Sequence, residues 1–238
     1  MSTNTHTDWP NQLFLPGQTA APEGPVDMQM MYVLHHAFRR DLDRFVVAAR
    51  KTPAADRATW HLLAARWQVF SEQLHHHHEG EDRAIWQWMR EHGTTEDVVT
   101  LDAMEAEHAD IDPLLTACAA GFDRLDAHED EDARAALAVR LVATRDHLAR
   151  HLAHEENDAI AILQRVMSPE EWRRIDEEEL KGDMSLSFVM TVVPWAADGL
   201  PREVLERVFA ETGLPFKIVW LITRRRWANR EGRIFRYA

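Results

Sequence analysis

The sequence predicts an all-α protein: an up-down-up-down four-helix bundle with additional C-terminal helices. Between residues 28 and 180, residues that favour helices dominate, and glycines and prolines are few and widely spaced. Apolar residues recur there every three or four positions, which is the period of a helix that buries one face. No alternating apolar and polar run typical of a strand competes with that period. Because the connections are short, successive helices are expected to run antiparallel.

The bundle helices are delimited by start and stop signals. Thr52-Pro53 ends the first helix, and His92-Gly93 ends the second. Thr94 and Asp97 nearly form a capping box at the start of the third. The acidic run 129–132 suits the N-terminus of the fourth, since carboxylates interact favourably with the helix dipole there. The predicted bounds are about 28–51, 54–91, 95–125 and from the acidic run to 167.

This pattern divides the chain into three parts. Residues 1–27 contain four prolines and no sustained period, so they are expected to form an extended N-terminal arm. Residues 28–167 form the bundle. Residues 168–238 form a C-terminal helical extension that packs on the bundle, beginning where Ser168 precedes Pro169 as a helix N-cap.

Composition and charge exclude several classes of protein. A hydrophobic content of 45% argues against a disordered chain. The net charge of −13 argues against binding to nucleic acid, although the stretch from Lys217 to Arg236 is basic. No apolar run approaches the roughly 20 residues of a transmembrane helix, and the N-terminus shows no secretory signal. Together with a single cysteine, Cys118, these features predict a soluble cytoplasmic protein.

Histidines are the most informative feature of the composition. The chain has 14 of them, concentrated in a few places, and imidazole is the commonest metal ligand in proteins. On the second predicted helix, His77 and Glu81 stand four residues apart, and His151 and Glu155 do the same on the fourth. Because residues four apart share one helix face, each pair can point into the bundle interior together.

The other two helices offer single candidates. The third supplies His108, and the first supplies either His35 or His36. Six donors from four helices would exceed what one ion needs, and two bridging carboxylates would leave positions for water, an oxo or hydroxo bridge and a small ligand. Mixed imidazole and carboxylate ligation suits iron, whereas calcium and magnesium prefer all-oxygen shells. A zinc pair is also compatible with these donors.

The run of four histidines at 75–78 cannot form a site by itself. Successive helical residues turn by about 100°, so four adjacent side chains cannot all face one core. We favour His77 with Glu81 over the alternative pair His75 and Glu79. Other polar residues near the predicted ligands are interpreted as supporting groups behind the ligands or as solvated residues. These are His76, His78, Asp82, His147, His154 and Glu156.

Four stretches resemble a known family: "LHHAFRRDL", "HHHHEGED", "MEAEHADI" and "HLAHEEND", one on each predicted helix. They are similar to the helix motifs of haemerythrin-like (HHE cation-binding) domains over about residues 28–167, and the C-terminal segment resembles the extension of actinobacterial members. The resemblance implies two iron ions, joined by an oxo or hydroxo bridge, with both glutamates bridging. The ligands implied by position are His35, His77, Glu81, His108, His151 and Glu155.

One position departs from the family pattern. Oxygen-carrying haemerythrins have a second histidine one turn before the third-helix ligand, and here that residue is Met104. With one imidazole fewer, the site is expected to favour peroxide or radical chemistry, or NO capture, over reversible oxygen carriage. Tyr32, one turn before His35, is a candidate additional ligand, as is His36.

The expected function is therefore that of a non-haem diiron protein reacting with O2, peroxide or NO in oxidative or nitrosative stress, with catalase-like removal of peroxide as one form. A sensor or iron-binding protein without turnover is the main alternative, and an oxygenase acting on an organic substrate is a weaker one. A ferritin-like site is disfavoured because the fourth helix lacks Glu-x-x-His. The expected partners are these small molecules, and a homodimer through the C-terminal helices is a further option.

Overall fold

The computed structural model describes residues 8–180 and 185–238, and these ranges contain helices and connections but no strand. The predicted all-α class is therefore confirmed. The helices of the first part of the chain are α1 (Gln29–Lys51), α2 (Arg57–Gly80), α3 (Gln87–His92), α4 (Thr95–Ala127), α5 (Glu131–His154) and α6 (Ile160–Val166). Those that follow are α7 (Pro169–Ile175), α8 (Leu186–Ala197), α9 (Arg202–Thr212) and α10 (Leu214–Ile234).

Two π-helical turns lie inside the long rods of the bundle. Glu81–Trp86 joins α2 to α3, and Glu155–Ala159 joins α5 to α6. A third, Asp176–Leu180, follows α7. Wider turns of this kind occur mostly as short interruptions of α-helices, frequently at functional sites. Both turns within the bundle begin at a glutamate that the sequence singled out.

Four rods form the bundle. Contacts join α1 to α2, α2 to α4, α4 to α5, and α5 back to α1. The connections at 52–56, 93–94 and 128–130 are short, so neighbouring rods are antiparallel, as predicted. Aromatic rings fill the end of the core near the start of α2. Phe45 lies at the centre of this cluster, with ring centroids 5.0 Å from Trp67 and 5.5 Å from Phe122.

Helix boundaries follow the signals in the sequence. The first helix ends at Lys51 before Thr52-Pro53, and the second rod ends at His92 before Gly93. At the start of α4 the capping box is complete: Asp97 N–H donates to Thr94 Oγ1 (3.3 Å) and Thr94 N–H donates to Asp97 Oδ2 (2.7 Å). Pro169 occupies the first turn of α7 behind the N-cap Ser168.

The described residues before α1 run along the bundle without forming a helix. Its side chains Leu13 and Leu15 are buried, and Thr19 N–H donates to Glu156 Oε2 at 2.8 Å. The described part of the predicted arm is thus held against the fourth rod. Residues 1–7 of that predicted arm lie outside the described residues.

The C-terminal helices contact the bundle through a buried polar network. Helix α8 packs against α1, and α10 packs against α2. The fully buried Asp41 of α1 accepts from Trp195 Nε1 of α8 (2.8 Å) and pairs with Arg66 of α2. Arg66 in turn donates to Glu231 of α10 (3.1 Å). One carboxylate and one guanidinium therefore connect four helices. No described helix is both long and apolar enough to cross a membrane.

Candidate metal centre

The six ligands implied by the sequence lie in the interior of the bundle, where a seventh residue, His78, joins them. Together they form two adjoining groups, and within each group one donor atom per residue lies within 4.8 Å of the others. Six of the seven residues are buried, and the side chain of His77 is only 6% exposed. The first group is His35, His77, Glu81 and Glu155, and the second is His78, His108 and His151.

Local helix geometry explains how the donors converge. His77 and His78 occupy the last turn of α2, and His151 occupies the last turn of α5. Glu81 and Glu155 are the first residues of the two π-helical turns. A residue four positions after a histidine lies one turn further along the same face, so each glutamate follows its histidine into the interior.

Glu81 lies between the two groups. Its Oε1 is 3.1 Å from His77 Nε2, and its Oε2 is 3.6 Å from His108 Nε2. The other carboxylate, Glu155, has Oε2 3.2 Å from His35 Nε2. Because the two oxygens of Glu81 face different groups, this carboxylate is placed to contact two cations at once.

Three of the histidines have a carboxylate behind the ring. A carboxylate that accepts a hydrogen bond from Nδ1–H fixes the ring orientation and leaves Nε2 free to bind a metal, and it also raises the basicity of Nε2. Each contact is 2.9 Å long, and in each case Nε2 points toward the interior. The pairs are His35 with Glu156, His108 with Asp82, and His151 with Glu107.

Glu156 is itself held in place by several donors. Arg39 donates to both of its oxygens (2.7 and 3.0 Å), and Thr19 donates through its backbone N–H and its hydroxyl. Burial opposes ionisation of this carboxyl, but hydrogen bonds from His35 and Arg39 outweigh it and lower its pKa. The carboxylate behind His35 is therefore charged and fixed.

Buried nitrogen and oxygen atoms without a hydrogen-bond partner show that these residues fit a metal ion. Nε2 of His35, His77 and His78, and both carboxylate oxygens of Glu81 and Glu155, are buried without a hydrogen-bond partner. Native proteins pair nearly all of their buried polar atoms, and leaving one unpaired costs about 1–3 kcal/mol. A concentration of unpaired acceptors facing one another is relieved by a cation. The donor set is that of a metal centre.

In the absence of metal, bound protons offset the negative charge of the two carboxylates of the site. Burial, and then the nearby carboxylates of Glu155 and Asp82, raise the pKa of Glu81 well above its ordinary value. Burial works against charging His35, but the carboxylates of Glu155 and Glu156 raise its pKa to about 9. For Glu155, burial is outweighed by His35, which lowers its pKa to about 2. Metal binding would displace protons from Glu81 and His35.

His78 is the residue whose role the sequence did not indicate. It was interpreted as a supporting or solvated residue, yet it is 4% exposed and its ring lies against that of His108. The two adjacent histidines diverge: the ring of His77 faces His35 of α1, with centroids 5.4 Å apart, while His78 faces α4. The two groups thus contain five histidines, one more than the resemblance implies.

Glu107 is a second residue near the donors that no motif in the sequence indicates. Its carboxylate accepts from Nδ1 of His151 and lies 2.9 Å from Nδ1 of His154 as well. No spacing within one helix reveals such a contact, because the partners are on α4 and α5. Of the two open candidates on α1, His36 belongs to neither group. The hydroxyl of Tyr32 is buried and unpaired, and burial followed by the charge of Glu156 raises its pKa.

A comparison with known protein families identifies the domain that contains these two groups. The family model for the Hemerythrin HHE cation binding domain matches residues 26–163, which is more than half of the chain. Searches of curated proteins and of solved structures return no match. The matched range covers all seven residues of the two groups. The resemblance inferred from the motifs is thereby confirmed, and the chain belongs to the hemerythrin HHE cation-binding domain family.

Proposed function

We propose that this protein is a non-haem diiron protein that reacts with small oxidants, above all peroxide. The observation that carries the proposal is the set of seven donor residues, six of them buried, in two adjoining groups with a carboxylate between them. One ion would be held by His35 and His77, and the other by His78, His108 and His151. Glu81 and Glu155 would be ligands of both ions.

The donor chemistry favours iron. The proposed ligands are three imidazoles around one ion, two imidazoles around the other, and two carboxylates. This mixed nitrogen and oxygen shell suits iron better than calcium or magnesium. Cys118, the single cysteine, lies in neither group, and its thiol contacts Thr144 instead. A bound iron pair supplies redox chemistry toward O2, peroxide or NO.

A polar cleft supports peroxide as the reactant. It has a volume of about 520 Å³ and is open to solvent. Imidazoles and carboxylates form most of its lining, including His75, Asp82 and Glu105, and it reaches His78 and His108 of the second group. Hydrogen peroxide forms hydrogen bonds with such groups, whereas O2 does not. The cleft therefore offers a polar small molecule a direct path to the centre.

Glu107 supports the second group of donors. Its carboxylate lies 2.9 Å from Nδ1 of the buried His151 and 2.9 Å from Nδ1 of His154, whose side chain is 32% exposed. Partial burial opposes ionisation of Glu107, but the hydrogen bonds from both imidazoles outweigh it and lower the pKa of this carboxyl. A charged carboxylate behind His151 would hold its Nδ1–H and leave Nε2 free for the metal.

The test is reconstitution of the full chain with ferrous iron under anaerobic conditions. We expect two iron ions per chain by elemental analysis, and rapid evolution of O2 from hydrogen peroxide over many turnovers. Stoichiometric binding of O2 or NO without turnover of peroxide would support a sensor or carrier instead. Fewer than two ions per chain, or preferential retention of zinc, would contradict the diiron centre.

A further inference from the structure

A second, larger cavity lies between the bundle and the C-terminal extension. It has a volume of about 670 Å³, which falls within the range of small-molecule sites. Its walls are mainly apolar and come from α1 and α8, while His77 and Glu81 lie at its inner end. The side chains that define it best are Met31, Leu34 and Phe38 of α1, with Phe188, Val192 and Ala196 of α8.

Most of the charged residues around this cavity are negative. Carboxylates line it on several elements, and among the described lining residues Arg83 is the one arginine or lysine. That guanidinium is already engaged, since it donates to the backbone oxygen of Glu179 at 2.8 Å. Glu178 is well exposed, with 62% of its side chain accessible, so its carboxylate lies at the opening, where it forms a solvent-screened pair with Arg174 at 3.6 Å. The other exposed carboxylates are Glu72, Glu79 and Glu179.

We propose that this cavity binds an organic cation: a small molecule with an apolar alkyl or aryl body and one ammonium group. The apolar walls would cover the body, because removal of apolar surface from water is the main source of affinity in such pockets. The ammonium would remain at the opening, beside the carboxylates. Burying the ammonium among the apolar walls would cost several kcal/mol, so the apolar body binds inside the cavity and the ammonium stays at its opening.

This binding function goes beyond the proposed reaction with oxidants. The peroxide path enters through the polar cleft above His78 and His108, whereas the apolar cavity reaches the other side of the centre, at His77 and Glu81. Its walls depend on α8, which lies outside the matched family range. The C-terminal extension therefore supplies a ligand site that the bundle alone lacks.

A matched series of ligands tests the charge preference. Calorimetric titration of the full chain would compare 4-phenylbutylamine, 4-phenylbutanol and 5-phenylpentanoate, which share a phenylbutyl body and differ in the charge of the head. We expect the amine to bind at least tenfold more tightly than the carboxylate, with the alcohol between them, and added salt to reduce the difference. Equal affinity of amine and carboxylate, or no binding at millimolar concentration, would overturn the proposal.

Variants locate the site. Val192→Trp fills the cavity, so the amine and the alcohol should both lose at least tenfold in affinity. Val139→Trp is the matched control, because Val139 is 71% exposed on α5 and outside the cavity. If Val192→Trp does not fold, the double variant Glu72→Gln/Glu178→Gln decides: it should weaken the amine severalfold and leave the alcohol unchanged. Unchanged amine affinity in the folded variants would refute the site.

These variants also separate this proposal from the proposed metal centre. None of them replaces a residue of the two donor groups, so iron content should stay at the wild-type level in all of them. Loss of ligand binding with normal iron content supports the cavity site. Failure of the ligand series in a protein that holds two iron ions would reject the cavity proposal and leave the diiron proposal standing.

Discussion

The imidazole of His78 lies parallel to that of His108, with ring centroids 3.9 Å apart and ring planes 5° apart. The two rings come from α2 and α4. Met104, one turn before His108, offers no nitrogen donor at the place where a second histidine of α4 would stand. A ring from the neighbouring helix therefore completes the group of three imidazoles.

Replacing His78 tests whether it binds metal. We expect His78→Ala to lower the iron content to about one ion per chain, because the second ion would keep only two imidazoles. Loss of one histidine ligand weakens metal binding at least as much as loss of a supporting carboxylate, which costs about 10–100-fold in affinity. Elemental analysis after dialysis against a weak chelator measures the effect.

The matched control is His76→Ala, two positions earlier on α2. The ring of His76 faces Phe188, with centroids 5.1 Å apart, and belongs to neither donor group. This variant should retain two ions per chain, while His77→Ala should lose iron as His78→Ala does. Normal iron content in His78→Ala would show that the ring only packs against His108.

Replacing Glu81 separates metal binding from folding. Burial and neighbouring carboxylates raise the pKa of Glu81 well above its ordinary value, which favours the neutral carboxylic acid in the metal-free protein, and glutamine resembles that form. Glu81→Gln should change the melting temperature of metal-free protein little. It should abolish most of the stabilisation that iron adds, since a ligand that binds only the folded state raises stability in proportion to its binding free energy.

Calorimetric scans with and without iron check this prediction. Glu79→Gln is the control, because Glu79 is exposed and belongs to neither donor group, and it should keep the full iron-dependent rise in melting temperature. An equally large iron-dependent rise in the melting temperature of Glu81→Gln would mean that Glu81 does not bind the metal.

Glu107→Gln tests the carboxylate behind His151. Glutamine cannot accept from both His151 and His154 as a charged carboxylate does, so His151 loses its fixed orientation and basicity. We expect a loss of about 10–100-fold in affinity for the second ion, and a slower reaction with peroxide. Asp102→Asn, on the same helix but paired with Arg90 at the surface and outside the polar cleft, should leave both properties unchanged. Equal behaviour of the two variants would contradict the role of Glu107.

Asp41 anchors the C-terminal helices. It is fully buried, and despite that burial the guanidinium groups of Arg66 and Arg40 lower its pKa. Asp41→Asn leaves Arg66 buried without its main counter-charge and should cost about 3–5 kcal/mol in the free energy of unfolding. Urea denaturation followed by tryptophan fluorescence measures the loss. Asp43→Asn, 68% exposed on the same helix, should cost less than about 0.5 kcal/mol.

The capping box of α4 gives the protein a specific acid sensitivity. Hydrogen bonds from Arg165 and from the Thr94 backbone lower the pKa of Asp97 to about 2 from 3.8. A carboxyl whose pKa is depressed by folding stabilises the protein above its unfolded pKa, and this contribution disappears as the pH falls from about 4 to 2. Asp97→Ala should cost about 1 kcal/mol at pH 7 and less at pH 2.

Thermal unfolding at several pH values tests this linkage. Asp102→Ala serves as the control on the same helix, because Asp102 pairs with Arg90 at the surface, where such pairs contribute little. An Asp97→Ala penalty that persists undiminished at pH 2 would contradict the ionised capping box.

Much of the fold was predictable because its signals are local. These signals act within one or two helical turns, and they include the apolar period, Thr52-Pro53 and Ser168-Pro169. Helix α1 ends and helix α7 begins where these residues predict it. The pairs His77 with Glu81 and His151 with Glu155 were equally readable, since a spacing of four is a property of a single helix. The choice of His35 over His36 needed the resemblance to the family as well.

By itself, the sequence determined the helical class, most helix boundaries and the two pairs His77 with Glu81 and His151 with Glu155, because helical periodicity relates residues that are near in the chain. Tertiary structure alone decided that His78 faces His108, that Glu107 supports His151, and that α8 forms one wall of a cavity beside His77. These contacts join different helices, and their formation depends on how the helices pack against one another. No spacing along the chain encodes that packing.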